Sequence, residues 1–192
     1  MLVTVPIKLL QQEFITFDPP LPDEKMKAIH KEQMPDGLKV FIEFSERFYP
    51  DMLFIDSILY SLTHSYSYYD ATLGKQTTKN VLGLLAEGDR ATKITSLEDD
   101  NAIIQYVLSE LDEIFDGQAT QRYVKHVVQN WSKEPFIQGT YSHRRSSAST
   151  LAMPVANRVY FAGEAMNRTG NTIAVHGASE SSYLMVDEML RD

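Results

Sequence analysis

The chain has 192 residues, of which 43% are hydrophobic, so it is long enough to bury one good core or two smaller ones and should be globular. It contains no cysteine, which excludes disulfides, thiolate metal sites, a cysteine nucleophile and any cofactor linked through a cysteine sulfur. The formal net charge of -8 argues against a nucleic-acid partner and mildly favours cationic small molecules.

No apolar run approaches the roughly 18 residues that a membrane span needs, and the N-terminus MLVTVPIKLL lacks the pattern of a secretory signal. We therefore expect a soluble, cytoplasmic protein without a membrane partner. The five histidines never fall at the short spacings of zinc sites, so no metal site is predicted.

The first third of the chain predicts two strands and a helix. VTVP (3–6) is typical of a short strand that ends at Pro6, because proline has no N–H to donate to a ladder. The prolines of FDPPLP (17–22) extend the chain, and a helix with acidic residues in its first turn begins after them. The alternating residues of LKVFIEF (38–44) predict a strand with Lys39 at its start.

The rest of the chain predicts three more strands and two helices. ILYSLTHSYSYYD (58–70) and NVLGLLAEG (80–88) have strand composition, and Leu73-Gly74-Lys75 is typical of a turn. SLED (96–99) resembles a capping box, apolar residues behind it recur at helical spacing, and Gly117 stands where a helix C-cap belongs. The last elements are a strand, VYFAG (159–163), and a helix from about 178 to 190.

The stretch RVYFAGEAMNRTGNTIAVHGA (158–178) is the strongest candidate for a binding site. A strand that ends in a small residue such as Gly163 lets a ligand approach the backbone at the carboxyl edge of a sheet. A helix that starts shortly afterwards directs free N–H groups at an anion or a carbonyl. The spacing fits a purely structural interpretation at least as well, in which Gly163 ends a strand and Gly177 permits close helix packing.

This stretch resembles the C-terminal FAD-binding signature of the flavin-containing amine oxidases, the family of monoamine oxidases, polyamine oxidases and flavin-dependent histone demethylases. Three other segments resemble family segments in the same order: VTVPIKLLQQEFITFDPPLP (3–22), LKVFIEFSERFYP (38–50) and WSKEPFIQGTYS (131–142). The resemblance therefore spans nearly the whole chain. It implies an α+β fold, with a substrate lobe of mixed sheet and flanking helices beside the C-terminal part of a Rossmann-like FAD-binding lobe.

The resemblance assigns roles to individual residues. Lys39 matches the lysine that holds a water near flavin N5, although a lysine on a solvated strand edge would look the same. Trp131, the only tryptophan, matches one packed beside the flavin ring, and an ordinary core aromatic is the alternative. Tyr141 matches an aromatic that lines the substrate space. Gly163 and Glu164 match the pair beside the pyrophosphate and ribityl chain of FAD.

The turn before the last helix carries the remaining matches and two departures. Val175 matches the residue whose backbone N–H reaches flavin O2, and His176 matches a histidine that is more structural than catalytic. Ala174 occupies a cofactor- and substrate-facing position where the family often has Tyr or Thr, so an aromatic sandwich around the amine would be incomplete. Ser182 stands where the family usually has glycine, which brings a side chain nearer to the neighbouring backbone or cofactor.

One family feature is missing from the sequence. The nine glycines contain no G-x-G-x-x-G, the turn that receives the ADP half of FAD. We therefore interpret the chain as the C-terminal part of an amine oxidase: residues 1–13 a strand of the FAD-binding lobe, 14–129 the substrate-binding lobe, and 130–192 the returning FAD-binding segment. Without strand neighbours the apolar edges of VTVP and VYFAG would be exposed, which predicts instability, self-association, or an N-terminal FAD-domain chain as partner.

Two functions remain open from the sequence. The first is an FAD-dependent amine oxidase with non-covalent FAD, which oxidises an amine, and by preference a polyamine, to an imine and aldehyde with release of hydrogen peroxide. The second is a non-catalytic, truncated or degenerate paralogue that serves as an interaction module without flavin. Retention of Lys39, Trp131, Gly163 and Glu164 favours descent from an active enzyme.

Overall fold

A computed structural model of the chain describes residues 1–55, 66–143, 146–171 and 173–191. The chain forms two compact units: the first joins Met1–Pro35 to Glu134–Asp192, and the second is Asp36–Lys133. Both contain helices and strands, which confirms the predicted mixed α/β class. The assignment of particular ranges to an FAD-binding lobe and a substrate lobe stays a prediction.

The described helices and strands follow one another along the chain in a mixed order. They are β1 (Leu2–Val3), α1 (Ile7–Gln11), α2 (Asp23–Lys31), β2 (Gly37–Phe44), β3 (Met52–Phe54), β4 (Tyr66–Asp70), β5 (Asn80–Glu87), α3 (Asp89–Thr95), α4 (Asp100–Ile114), α5 (Gln118–Arg122), β6 (Tyr123–Asn130), α6 (Ala148–Ala152), β7 (Tyr160–Phe161) and α7 (Val175–Met189). Two single 3₁₀ turns cover Trp131–Lys133 and Glu164–Met166.

The first unit is organised around the parallel pair β1 and β7, in which Leu2 lies opposite Tyr160 and Val3 opposite Phe161. Both strands are short, because Pro6 begins α1 after the first and Gly163 turns the chain after the second. Helices α1, α2, α6 and α7 surround this pair. Their apolar sides and the strands share one core that contains Val3, Ile7, Leu10, Leu21, Ile29, Met34, Leu151, Ala152, Tyr160, Phe161, Ala162, Ala165, Met166 and Met185.

The second unit is a five-stranded antiparallel sheet with the order β3-β4-β5-β2-β6. Strand β2, which lies between β5 and β6, confirms the prediction from alternation, since Val40, Ile42 and Phe44 are buried and Lys39 is only partly buried. The buried face of the sheet packs against α3 and α4, whose core residues include Ile94, Ile103, Val107 and Leu111. The opposite face of β2 carries Lys39.

Several other sequence predictions are confirmed within the described residues. Helix α2 begins after Pro22 with Asp23 and Glu24 in its first turn. Strand β5 covers Asn80–Glu87, and β4 accounts for the part of the predicted 58–70 strand that lies within the described residues. The backbone N–H of Gly117, with φ +80°, bonds to the Asp112 carbonyl and closes the end of α4.

Two predicted helix starts are wrong. Ser96 ends α3 and Asp99 is the residue that caps α4, where its carboxylate accepts the Ala102 N–H at 2.8 Å. Ser96, the first residue of the predicted capping box, is instead the C-cap of α3. Helix α7 begins at Val175 and not near Ala178. Its first turn contains Gly177, although glycine is a poor helix former. A side chain at this position would collide with the Asn171 carbonyl, so the position requires glycine.

Candidate functional site

The turn after β7 is shaped by a glycine. Gly163 has φ +147°, a conformation that L side chains rarely adopt, and a Cβ at this position would contact only the Met166 sulfur, at 3.9 Å. The space above its backbone is therefore open. The 3₁₀ turn Glu164–Met166 follows directly and leads the chain away from the strand.

A cavity of about 220 Å³ lies beside this glycine. One wall is residues 4–7, which follow β1, and another is residues 163–166, which follow β7. Because β1 and β7 are parallel, their carboxyl ends meet at this edge, which is where ligands bind in open sheets of parallel strands. Ala178 of α7 and Thr140 also line the cavity. The structure thus forms a concave space at the edge that the sequence indicated.

Glu164 is held in place by a loop that carries another predicted residue. Its carboxylate accepts the backbone N–H of Ser142 and, at 2.9 Å, the Ser142 hydroxyl, and Ser142 is only 1% exposed. Tyr141 precedes this serine, and its ring lies 5.8 Å from the ring of His143. Glu164 therefore serves as an anchor for the 140–143 segment, and the structure brings Tyr141, Gly163 and Glu164 to one region of the first unit.

Gly163 is fixed from the other side by α7. The hydroxyl of the buried Ser181 lies 2.7 Å from the Gly163 N–H and 2.8 Å from its carbonyl oxygen. Ser182, the predicted departure from glycine, directs its hydroxyl to the Ala178 carbonyl of its own helix, 3.1 Å away. The side chain at 181, and not the one at 182, therefore connects the helix to the turn.

Among the described residues, no side chain caps the start of α7. Ala174 is its N-cap and makes no side-chain cap, and the first turn contains no acidic residue. Val175 is 90% exposed, and His176 is exposed as well. The first N–H groups of a 15-residue helix carry partial positive charge and have no intrahelical acceptor. They suit a carbonyl oxygen or an anionic group, as the resemblance implies for the N–H of Val175. Thr172, the start of the predicted turn, lies outside the described residues.

Lys39 and Trp131 belong to the second unit. In the sheet register Lys39 lies opposite Leu85 on β5 and Gln129 on β6. Trp131 follows β6 directly, and the Gly37 N–H donates to the Ser132 hydroxyl at 3.0 Å. The structure therefore places Lys39 and Trp131 at the same end of the β2–β6 pair. Both are partly buried.

The residues of the first unit fit the flavin end of FAD. A cavity bordered by an open glycine accepts a chain close to the backbone, and the uncapped start of α7 offers N–H donors to a polar acceptor. Gly163, Ala174 and Val175 would hold the group, and Glu164 would fix the surrounding turn. In the described part of the chain, no set of three His, Asp or Glu side chains is arranged to hold a metal ion.

Sequence reasoning missed the buried groups that support this region. Ser142 and Ser181 look like ordinary polar residues in the sequence. Their supporting roles are evident only from hydrogen bonds to residues far along the chain. Lys25 is fully buried in α2, and its ammonium donates to the carbonyls of Leu151 at 2.6 Å and Met153 at 2.7 Å at the end of α6. Burial lowers the pKa of Lys25 to about 7. Its ammonium also lies 3.7 Å from the centre of the Phe161 ring on β7.

Comparisons with known proteins agree with the resemblance. A family model described as "Flavin containing amine oxidoreductase" matches residues 1–190. The chain is 32% identical over 179 residues to lysine-specific histone demethylase 2 of Homo sapiens, covering 87% of this chain and 21% of that protein. It is 30% identical over 191 residues to polyamine oxidase 3 of Oryza sativa subsp. japonica, covering 97% of this chain and 38% of that protein.

A solved structure of a putrescine oxidase triple mutant has the same fold. It matches with a TM-score of 0.76 at 18% sequence identity and covers 100% of this chain and 42% of the other. The chain thus spans 21% and 38% of the lengths of the two curated relatives. Within the ranges that the structure describes, the helices are too short or too polar to cross a membrane.

Proposed function

Because this chain belongs to the family of flavin-containing amine oxidoreductases, we propose that it is the C-terminal part of an FAD-dependent amine oxidase. One observation carries the proposal: the cavity beside Gly163 lies at the carboxyl edge of the β1–β7 pair. The family resemblance assigns that edge to the cofactor, and the open glycine and the uncapped α7 start support the assignment. The predicted lobes, with residues 1–13 and 130–192 on the FAD side and 14–129 on the substrate side, are part of the same proposal.

The proposal divides the cofactor contacts among backbone groups and one anchored turn. Gly163 would let the polar chain of non-covalent FAD approach the backbone, and Ser181 keeps that backbone in position. The N–H of Val175 would donate to the flavin ring. Ala174, which has a small side chain, would leave room beside it. Glu164 acts through the Ser142 loop and thereby sets the position of Tyr141.

Bound FAD would supply a two-electron acceptor for hydride equivalents from the carbon next to the amine nitrogen. Lys39 would hold a water molecule and handle a proton during amine oxidation or oxygen reduction. Trp131, at the same end of the β2–β6 pair, would give the flavin ring an apolar contact. Tyr141 would line the amine-binding space, where Ala174 leaves it without an aromatic counterpart. The products would be an imine, its aldehyde after hydrolysis, and hydrogen peroxide.

The proposed substrate is an amine of the polyamine class. Polyamine oxidase 3 is among the similar proteins, and the net charge of -8 would attract a polycation by electrostatic steering. Charge steering depends on ionic strength. A polyamine substrate should therefore show an apparent KM that rises with salt more steeply than that of a monoamine.

Flavin titration of the 192-residue chain tests the proposal. The flavin fluorescence of FAD and of FMN should both be quenched on binding, because the proposed contacts lie at the flavin end that the two compounds share. Preparations that keep flavin absorbance after desalting should release peroxide when a polyamine is added. Lys39→Met should abolish most of this release and leave flavin binding unchanged.

A pair of glycine variants supplies the matched control. Gly163 and Gly74 both have positive φ, and neither has close neighbours at the Cβ position. Gly163→Ala should weaken flavin binding about tenfold or more, since the substitution strains the turn and fills space above it. Gly74→Ala also replaces a glycine of positive φ, in an exposed turn of the second unit, and should leave binding intact. Quenching of neither flavin would refute the proposal and favour a non-catalytic interaction module.

A further inference from the structure

The loop between the Glu164–Met166 turn and α7 is tied to one carboxylate. Three side chains of residues 167–171 converge on Glu180 of α7. Asn171 Nδ2 lies 2.9 Å from Glu180 Oε2 and 3.0 Å from Oε1, the Thr169 hydroxyl lies 2.7 Å from Oε2, and Asn167 Nδ2 lies 3.1 Å from Oε2. These donors lower the pKa of the Glu180 carboxyl, which keeps it charged at neutral pH and strengthens each contact.

A second set of contacts presses the same loop against the helix. Asn167 is fully buried, its amide donates to the Gly177 carbonyl at 2.7 Å, and its oxygen accepts the Thr169 N–H at 2.7 Å. A Cβ at Gly177 would lie 1.8 Å from the Asn171 carbonyl oxygen. The end of the loop therefore rests on the first turn of α7, with only residues 172–174 between them.

The backbone at Ile173, two residues after this loop, is strained. Ile173 has φ +64°, which is a rare and costly conformation for a β-branched residue. Such strain persists only where the surroundings over-determine it, and it concentrates at functional sites. Ala174 and Val175 come next, so the anchored loop and the strained residue together decide where the first N–H groups of α7 point.

From this geometry we propose that Glu180 is a positioning residue for the cofactor, since its carboxylate clamps residues 167–171 and thereby orients the Ala174–Val175 backbone. This inference rests on the proposed function, because it concerns the same site. It adds a determinant that acts through the loop and does not touch the flavin. Ser181, the next residue, holds Gly163, so neighbouring residues of α7 fix the turn after β7 and the loop that follows it.

The test compares Glu180→Gln with Asp187→Asn. Asp187 is an exposed carboxylate on the same helix, and the described residues offer it no hydrogen bond or ion pair, so its substitution removes the same charge without the clamp. Glu180→Gln keeps the size of the side chain but turns an NH₂ group towards the Asn171 and Asn167 donors. Hydrogen exchange of peptides covering residues 167–177 is measured without flavin, and FAD and FMN titrations follow.

If the proposal holds, Glu180→Gln should raise the exchange rates of these amides about tenfold and weaken binding of both flavins by a similar factor. Asp187→Asn should change neither. Unchanged exchange in Glu180→Gln would refute the clamp, and faster exchange with unaltered flavin affinity would refute its positioning role. Failure of the unsubstituted chain to bind either flavin is a different result, which would refute the proposed function and with it the role of the clamp.

Discussion

Glu110 on α4 is the shared acceptor of two buried tyrosines, and we expect its replacement by alanine to destabilise the second unit. Glu110 Oε1 lies 2.9 Å from the Tyr66 hydroxyl and 2.7 Å from the Tyr68 hydroxyl, and Oε2 accepts from Arg90 at 2.9 Å. Tyr66 is 1% exposed and Tyr68 is 0% exposed. Burial raises the pKa of both phenols, so each remains a protonated donor at neutral pH.

The expected loss follows from these contacts. Alanine at position 110 would leave two buried hydroxyl donors without their acceptor, at a cost of about 1–3 kcal/mol each. Arg90 is partly exposed, with 32% of its side-chain surface accessible, so water can replace its partner and its contribution is small. The free energy of unfolding should therefore fall by about 3 kcal/mol, a large share of the 5–15 kcal/mol typical of domains.

Urea unfolding at neutral pH, followed by far-UV circular dichroism, measures this loss. Glu113→Ala on the same helix is the control, because Glu113 is exposed and makes no described hydrogen bond or ion pair. Tyr68→Phe in the Glu110→Ala background should restore about 1 kcal/mol by removing one stranded hydroxyl. Equal losses in Glu110→Ala and Glu113→Ala, or no recovery in the double variant, would refute the reasoning.

Two further predictions concern the first unit and a glycine contrast. The pKa of Lys25 is lowered by burial from 10.5 to about 7, so the unfolded chain binds more protons between these values and the free energy of unfolding should rise from about pH 7 to pH 10. Lys25→Met should flatten that rise. The same pH dependence of the free energy of unfolding in the variant and in the unsubstituted chain would show that the backbone carbonyls keep the Lys25 ammonium charged in the folded state. Gly177→Ala should lower the free energy of unfolding in urea more than Gly83→Ala does. The Cβ at position 177 would lie 1.8 Å from the Asn171 backbone oxygen, whereas the Cβ at position 83 would lie 2.6 Å from the Tyr69 ring, which can move. A larger loss in Gly83→Ala would contradict this prediction.

The sequence predicted elements whose signal is local. The alternation of β2 and the helical spacing of α4 both follow from one buried face, and that face exists in the structure. Strand β6 was not predicted, because Val124 and Val127 are exposed and the order of its apolar and polar residues does not indicate one buried face. The start of α4 was misplaced because the capping-box pattern of residues 96–99 does not show that Ser96 closes the preceding helix and that Asp99 is the N-cap.

The candidate site shows the same division between local and distant information. Gly163 was predicted as an open turn residue, since a small residue at the end of a strand is a local signal, and the structure gives it positive φ and free space. The partners that hold it lie far along the chain. The Ser142 contact to Glu164 spans 22 residues and the Ser181 contact to Gly163 spans 18, and a single sequence contains no pattern that predicts such pairs.

The division of the chain into two units has a consequence for the order of folding. The first unit is assembled from both ends of the chain, whereas Asp36–Lys133 is continuous and can nucleate from its own hairpins. The two ends of this continuous segment lie close together, because the Gly37 N–H donates to the Ser132 hydroxyl at 3.0 Å. Once that sheet has formed, the loop that separates β1 from β7 is effectively shorter, which lowers the entropic cost of their pairing. The β1–β7 pair is thus expected to be the last part of the protein to assemble and the first to open.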